Sequence, residues 1–274
     1  MGQEKRINQE WSLGRTEARR GFSLGQKVCA AWQLTWGKPV WSWQTLVVLL
    51  LMGLAVCAVA AHRWLRGEWL AEDFVADVLV PAYLGFLLPI TCLSSGVQVL
   101  GGAWEEGWLL WMLLRPVSRI TVFALLLLAA IPWTLLVALG GAIVLASIAG
   151  TEALRATFSV LGTLTLGTLA YLTLFVFFSV LFHRATLVSI AYVFVVENFI
   201  GYMPGLINRA SINFYLRSLL VEAGWLSNSP EESFLGVEAT SGTVALAVLL
   251  VAILAFTVAS GIMFARREYG DPTA

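Results

Sequence analysis

The residues best placed to do chemistry are two carboxylates, Glu105 and Glu106, two guanidiniums, Arg115 and Arg119, and the pair Glu197 and Asn198. All lie within or between long apolar runs, where an uncompensated charge is costly. The segment 104–119 must therefore meet water, a protein partner or both. Glu197 sits well inside an apolar run, which makes it a candidate substrate contact or proton relay. The favoured alternative is structural: Glu197 pairs with Arg209 or Arg217 folding back from the following segment.

Catalytic signatures do not fit these groups. A Gly-x-x-x-x-Gly-Lys-Ser/Thr phosphate loop is absent, so nucleotide hydrolysis by that route is not expected. The only histidines, His62 and His183, are far apart, and no two-histidine metal motif lies on one helix face. A Glu-Glu-x-x-x-Arg protease motif fails because Leu110 holds the arginine position and the first arginine is Arg115. A Gly-x-Ser-Gly site fails because Leu93 stands two residues before Ser95. The expectation is a chain with no catalytic, cofactor or metal residues.

The elements that position these groups follow from composition. Of 274 residues, 59% are hydrophobic and 12% charged, and mean hydropathy is +0.81. Such a chain is an integral membrane protein. Net charge is zero, which gives nucleic acid no electrostatic footing. Cys29, Cys57 and Cys92 form no metal-type spacing, and no disulfide framework follows. About forty residues precede the first apolar run, so a secretory signal is not expected.

The hydropathy pattern predicts an all-α polytopic fold with six transmembrane helices, at about 41–61, 74–100, 120–147, 157–182, 186–203 and 243–265. Residues 1–40 read as a cytosolic tail and an interfacial helix, in which Phe22, Leu24, Val28, Trp32 and Trp36 recur at near-helical spacing. Pro81 and Pro89 are expected to kink the second span. A hydrophilic break at 150–155 leads to a fourth span rich in Gly and Thr, suited to close helix packing. His183 and Arg184 form a tight turn. Between the fifth and sixth spans, residues 206–225 are amphipathic and too polar to cross, which suggests helices at or dipping into the outer interface.

Six spans put both termini on one side. That side holds 12 of the 17 Lys and Arg residues, whereas Arg63, Arg66, Arg155, Arg209 and Arg217 fall on the other. The positive-inside rule then puts the termini, the tail 266–274 and the segment 104–119 in the cytosol, across a cell (inner) membrane. No internal repeat is visible, which argues against inverted-repeat transporters.

One stretch carries a family motif. An acidic residue followed by Gly107, an apolar run with Leu113 and Leu114, then Arg115, Pro116, Val117, Ser118 and Arg119 before a span resembles the permease subunit of type-2 ABC transporters. The order of features across nearly the whole chain is similar too. The family commonly has Thr or Ser after the glycine, where this chain has Trp108.

The resemblance implies a coupling loop, with Glu105, Glu106, Gly107, Trp108, Arg115, Pro116 and Arg119 meeting a separate ABC ATPase subunit that holds the ATP. It further implies a second permease subunit, identical or related, within the lipid bilayer. The residues agree with such a loop. Trp104, Trp108 and Trp111 share one helix face, the glutamates would sit near a helix start, and Pro116 would end that helix. An interfacial helix with snorkelling arginines is the plainer alternative.

The expected function is that of a permease subunit of an ATP-driven transporter, an exporter by preference. The competing expectation is a membrane scaffold or assembly protein without transport activity.

Overall fold

The computed structural model describes residues 43–105, 118–199, 206–226 and 240–266. Helix α1 spans Trp43–Arg66. Helix α2 is one rod in three stretches: a first turn, Ala71–Phe74; a π-helical stretch, Val75–Leu87; and an α-helical stretch, Leu88–Glu105. Helix α3 spans Arg119–Ala149, α4 Thr151–Ser159 and α5 Leu161–Leu181. Helix α6 runs Ala185–Tyr192 and continues as a π-helical stretch, Val193–Phe199. After a 3-10 turn at Leu206–Ala210 come α7, Ile212–Glu222, and α8, Gly242–Arg266. No strand occurs among the described residues.

Among the described residues, five helices are long and apolar enough to cross a membrane: Trp43–Arg66, Ala71–Val99, Arg119–Ala149, Leu161–Leu181 and Gly242–Arg266. Each meets or exceeds the ~20 residues that span ~30 Å of hydrocarbon. The chain is therefore a multi-pass, all-helical membrane protein. The fifth expected span, 186–203, is different, because Ala185–Phe199 is a shorter apolar helix.

Helix α5 is the central post. Leu164, Thr168, Ala170, Tyr171, Leu172 and Phe175 are fully buried in it, flanked by α2 and α8. Glycine sets two of its close approaches. A Cβ on Gly96 of α2 would stand 2.8 Å from Phe175 Cβ, and one on Gly167 would stand 2.8 Å from Leu216 Cδ1 of α7. The Thr-rich character of α5 has a local explanation. Thr165, Thr168 and Thr173 return their hydroxyls to carbonyls of their own helix at 2.7–3.0 Å, which satisfies them in an apolar bundle.

Helices α1 and α8 are the least buried of the five long helices. Leu46, Leu49, Leu50 and Leu54 of α1 are exposed, as are Val251, Leu254 and Val258 of α8. Such a surface suits hydrocarbon rather than water. Pro81 lies inside the π-helical stretch of α2; it lacks an N–H and clashes with the carbonyl four residues earlier, so the helix widens there.

Contacts between helix ends fix the directions. Gln98 Nε2 donates to Gln44 Oε1 at 3.1 Å, and Phe123 meets Phe264 at 5.8 Å between ring centroids. The start of α1, the end of α2, the start of α3 and the end of α8 thus share one end of the bundle, the near end. At the far end, Arg63 donates to the Ile148 carbonyl at 2.8 Å and pairs with Glu68 at 2.6 Å.

Two connections take a definite form in the structure, and the first departs from the hydropathy reading. The expected break at 150–155 is largely helical, α4. Gly150, at φ +143, supplies the bend from α3 that an L side chain rarely adopts. The amphipathic segment expected at or dipping into the outer interface forms α7, whose Ile212, Asn213, Phe214, Leu216, Arg217, Ser218 and Leu220 are buried against α5 and α8.

Candidate functional site: a buried carboxylate at the start of a half-length helix

Helix α7 begins deep in the bundle and ends at its far end. Its C-terminal Glu222 accepts a hydrogen bond from the Gly242 N–H at the start of α8. Its N-terminus lies beside Glu197, next to Asn198, whose Nδ2 donates to the Gly85 carbonyl midway along α2 at 3.4 Å. The fifth traverse of the bundle is thus made by two half-length helices: α6 rises from the near end, and α7 continues toward the far end.

A helix N-terminus inside an apolar bundle exposes free N–H groups and positive dipole. Glu197, fully buried, answers both. Its Oε1 accepts from the Ile212 N–H at 3.1 Å and from Tyr192 Oη at 2.8 Å. Its Oε2 accepts from Ser211 Oγ at 2.6 Å and from the Asn213 N–H at 3.2 Å. Four donors match the roughly four acceptor sites of a carboxylate. Ser211 occupies the N-cap position in extended backbone without bonding α7 through its own side chain. It donates to Glu197 instead, so the glutamate caps α7 from a different helix.

Asn198 also accounts for the neighbouring geometry. Its Nδ2 donates to the Val193 carbonyl at 3.0 Å, within the π-helical stretch of α6. Phe194 of that stretch meets Phe86 of α2 at 5.9 Å, edge to face. The two π-helical stretches are therefore in contact with each other. Such stretches are uncommon and often coincide with functional positions.

Further polar groups surround this point. Asn208 is fully buried, and both polar atoms of its amide lack a partner among the described residues; the same holds for Asn213 Oδ1 and Tyr171 Oη.

The other sequence-derived residues lie elsewhere. Glu105 is the last described residue of the helix from Leu88, so the chain at Glu105 still belongs to the α2 rod rather than to the start of a new helix. Glu106, Gly107, Trp108, Arg115 and Pro116 lie outside the described residues, as does the expected interfacial helix within 1–40. Arg119 is exposed and opens α3. Ser118 caps α3 by accepting from the Thr121 N–H at 3.3 Å. His62 stacks on Trp69 with centroids 3.8 Å apart at the far end, whereas His183 is exposed in the turn before α6. Among the described residues, no three His, Cys, Asp or Glu side chains are grouped to hold a metal ion.

Sequence reasoning singled out Glu197 and Asn198 but missed Ser211 and Tyr192. Ser211 had a readable signal, a serine directly before the periodic apolar run of α7. Tyr192 stands five residues before Glu197 and reaches it only because α6 turns π-helical.

No protein-family model matches this chain, and no curated protein matches it significantly.

Proposed function

We propose that this chain is the permease subunit of an ATP-driven transporter, an exporter by preference, paired with a second permease subunit and energised by a separate ABC ATPase through residues 104–119. The observation that carries the reading is the common location of four helix ends. Helix α2 ends and α3 begins at the same end of the bundle as the start of α1 and the end of α8. The segment that carries the family motif thus joins two long helices on the side of the termini, where the positive charge of the sequence also gathers.

In this reading ATP binding closes the ATPase pair and pushes on residues 104–119. The α2 rod carries that displacement from its near end to its π-helical stretch, whose contacts with α6 lie beside Glu197 and the start of α7. Helix α7 then acts as the far-side stopper of the pathway. A stopper needs an anchor that holds and a neighbour that can shift, and a half-length helix capped from another helix has both.

The test is reconstitution with the ATPase subunit in vesicles. Charge reversal of Glu105 and Glu106, or deletion of 104–114, is expected to abolish ATPase association and transport while leaving the membrane domain folded. Intact association and transport in those variants would remove the coupling role and favour a scaffold.

A further inference from the structure

Between α1 and the π-helical stretch of α2, toward the far end, lies a chamber of about 310 Å³. That volume falls at the lower end of the ~300–1,000 Å³ typical of small-molecule sites. Its walls are short apolar side chains. Ala55, Ala58 and Val59 line it from one face of α1, and Val78 and Ala82 from one face of α2. Alanine at three of these positions leaves open the space that leucine would fill.

The polar groups of the chamber are few. Tyr83 lines it, but its hydroxyl is spent on the Ala138 carbonyl. His62 and Trp69 line it as a stacked pair, and His62 Nδ1 and Trp69 Nε1 are buried without a hydrogen-bond partner among the described residues. Asp77 is the one charged residue of the lining, and it has no ion-pair partner among the described residues. Asp77 is exposed, as are Glu72, Asp73 and Arg66 nearby, while Arg63 is committed to Glu68 and the Ile148 carbonyl. The surroundings of the chamber are therefore net negative.

Apolar walls, one uncommitted carboxylate and a stacked aromatic pair select for one kind of ligand. An apolar body is favoured by the walls, and a positive head is favoured by the carboxylate and by aromatic faces. We infer that this chamber binds a lipophilic cation, an amphiphile with an alkyl or aryl body and an ammonium-type head at Asp77. The inference does not depend on the ATPase reading, because it rests on the chamber alone.

The experiment uses the full chain in lipid nanodiscs and an alkyltrimethylammonium probe carrying a photoactivatable diazirine. Saturable labelling is expected to map to α1 and α2 around Ala58 and Ala82. Octyltrimethylammonium should compete, whereas uncharged octanol should compete at least tenfold less well. Asp77→Asn should weaken the apparent affinity about tenfold, a difference of ~1.4 kcal/mol. Asp73→Asn, which lies outside the lining, should leave it unchanged. Ala82→Trp should abolish labelling by filling the chamber. If Ala82→Trp does not yield folded protein, the contrast between the two aspartate variants decides. Labelling spread over other helices, equal competition by octanol, or wild-type affinity in Asp77→Asn would each overturn the inference.

Discussion

Ser211 Oγ donates to Glu197 Oε2 at 2.6 Å, across 14 residues of sequence. This contact joins the end of α6 to the start of α7 and lets a helix begin inside an apolar bundle. It assigns the buried glutamate a definite role: Glu197 supplies negative charge where α7 presents positive dipole and free N–H groups.

Removing that charge should be costly. Glu197→Gln retains the shape but loses charge-assisted bonds, and is expected to lower stability by about 1–3 kcal/mol. Glu197→Ala leaves the Ile212 and Asn213 N–H groups unpaired and should cost more, on the order of 3–5 kcal/mol. Thermal unfolding in detergent, with hydrogen exchange read at 211–214, checks both. Unchanged exchange in the alanine variant would remove Glu197 as the cap of α7.

Gly167 and Gly162 offer a matched pair on α5. A Cβ at Gly167 would press on Leu216, whereas nothing stands within 4 Å of one at Gly162. Gly167→Ala is expected to destabilise by about 1–3 kcal/mol, and Gly162→Ala to be neutral or mildly stabilising. Leu216→Ala in the Gly167→Ala background should recover part of the loss, a coupling that a double-mutant cycle measures.

Two arginine pairs should separate in the same assay. Arg63 both pairs with Glu68 and donates to the Ile148 carbonyl, tying α1 to α3. Arg155 meets Glu152 only as an exposed i, i+3 pair. Arg63→Ala is expected to cost about 1–2 kcal/mol, and Arg155→Ala no more than about 0.5 kcal/mol. Equal losses would mean that the carbonyl bond to α3 contributes nothing.

Sidedness can be read with single cysteines in a background lacking the three native ones. Arg66→Cys lies at the far end of the bundle and Ser118→Cys at the near end. A membrane-impermeant maleimide is expected to label position 66 in intact cells and position 118 only after permeabilisation. Labelling of both from the same side would break the proposed topology.

The sequence by itself determined the membrane class and, among the described residues, the number of long spanning helices to within one. It marked Glu197 as a charge in need of a partner and offered Arg209 or Arg217, whereas in the structure Glu197 accepts hydrogen bonds from Tyr192, Ser211, Ile212 and Asn213. Runs of apolar residues near 20 long have one stable solution in hydrocarbon, a helix that satisfies its own backbone. Of the expected break at 150–155, only the bend at Gly150 is non-helical. Tertiary structure decided what pattern could not. Glu197 meets Ser211 and the start of α7, a contact between distant residues. Helix α7 reads as interfacial because its composition is amphipathic, yet it packs against α5 and α8 with its first N–H groups held by Glu197 of α6. The π-helical register of α2 and α6 shifts which side chains share a face, so a 3.6-residue reading misplaces Tyr192. The chamber beside Asp77 exists because α1 and the widened stretch of α2 stand apart, a distance that no single stretch of sequence encodes.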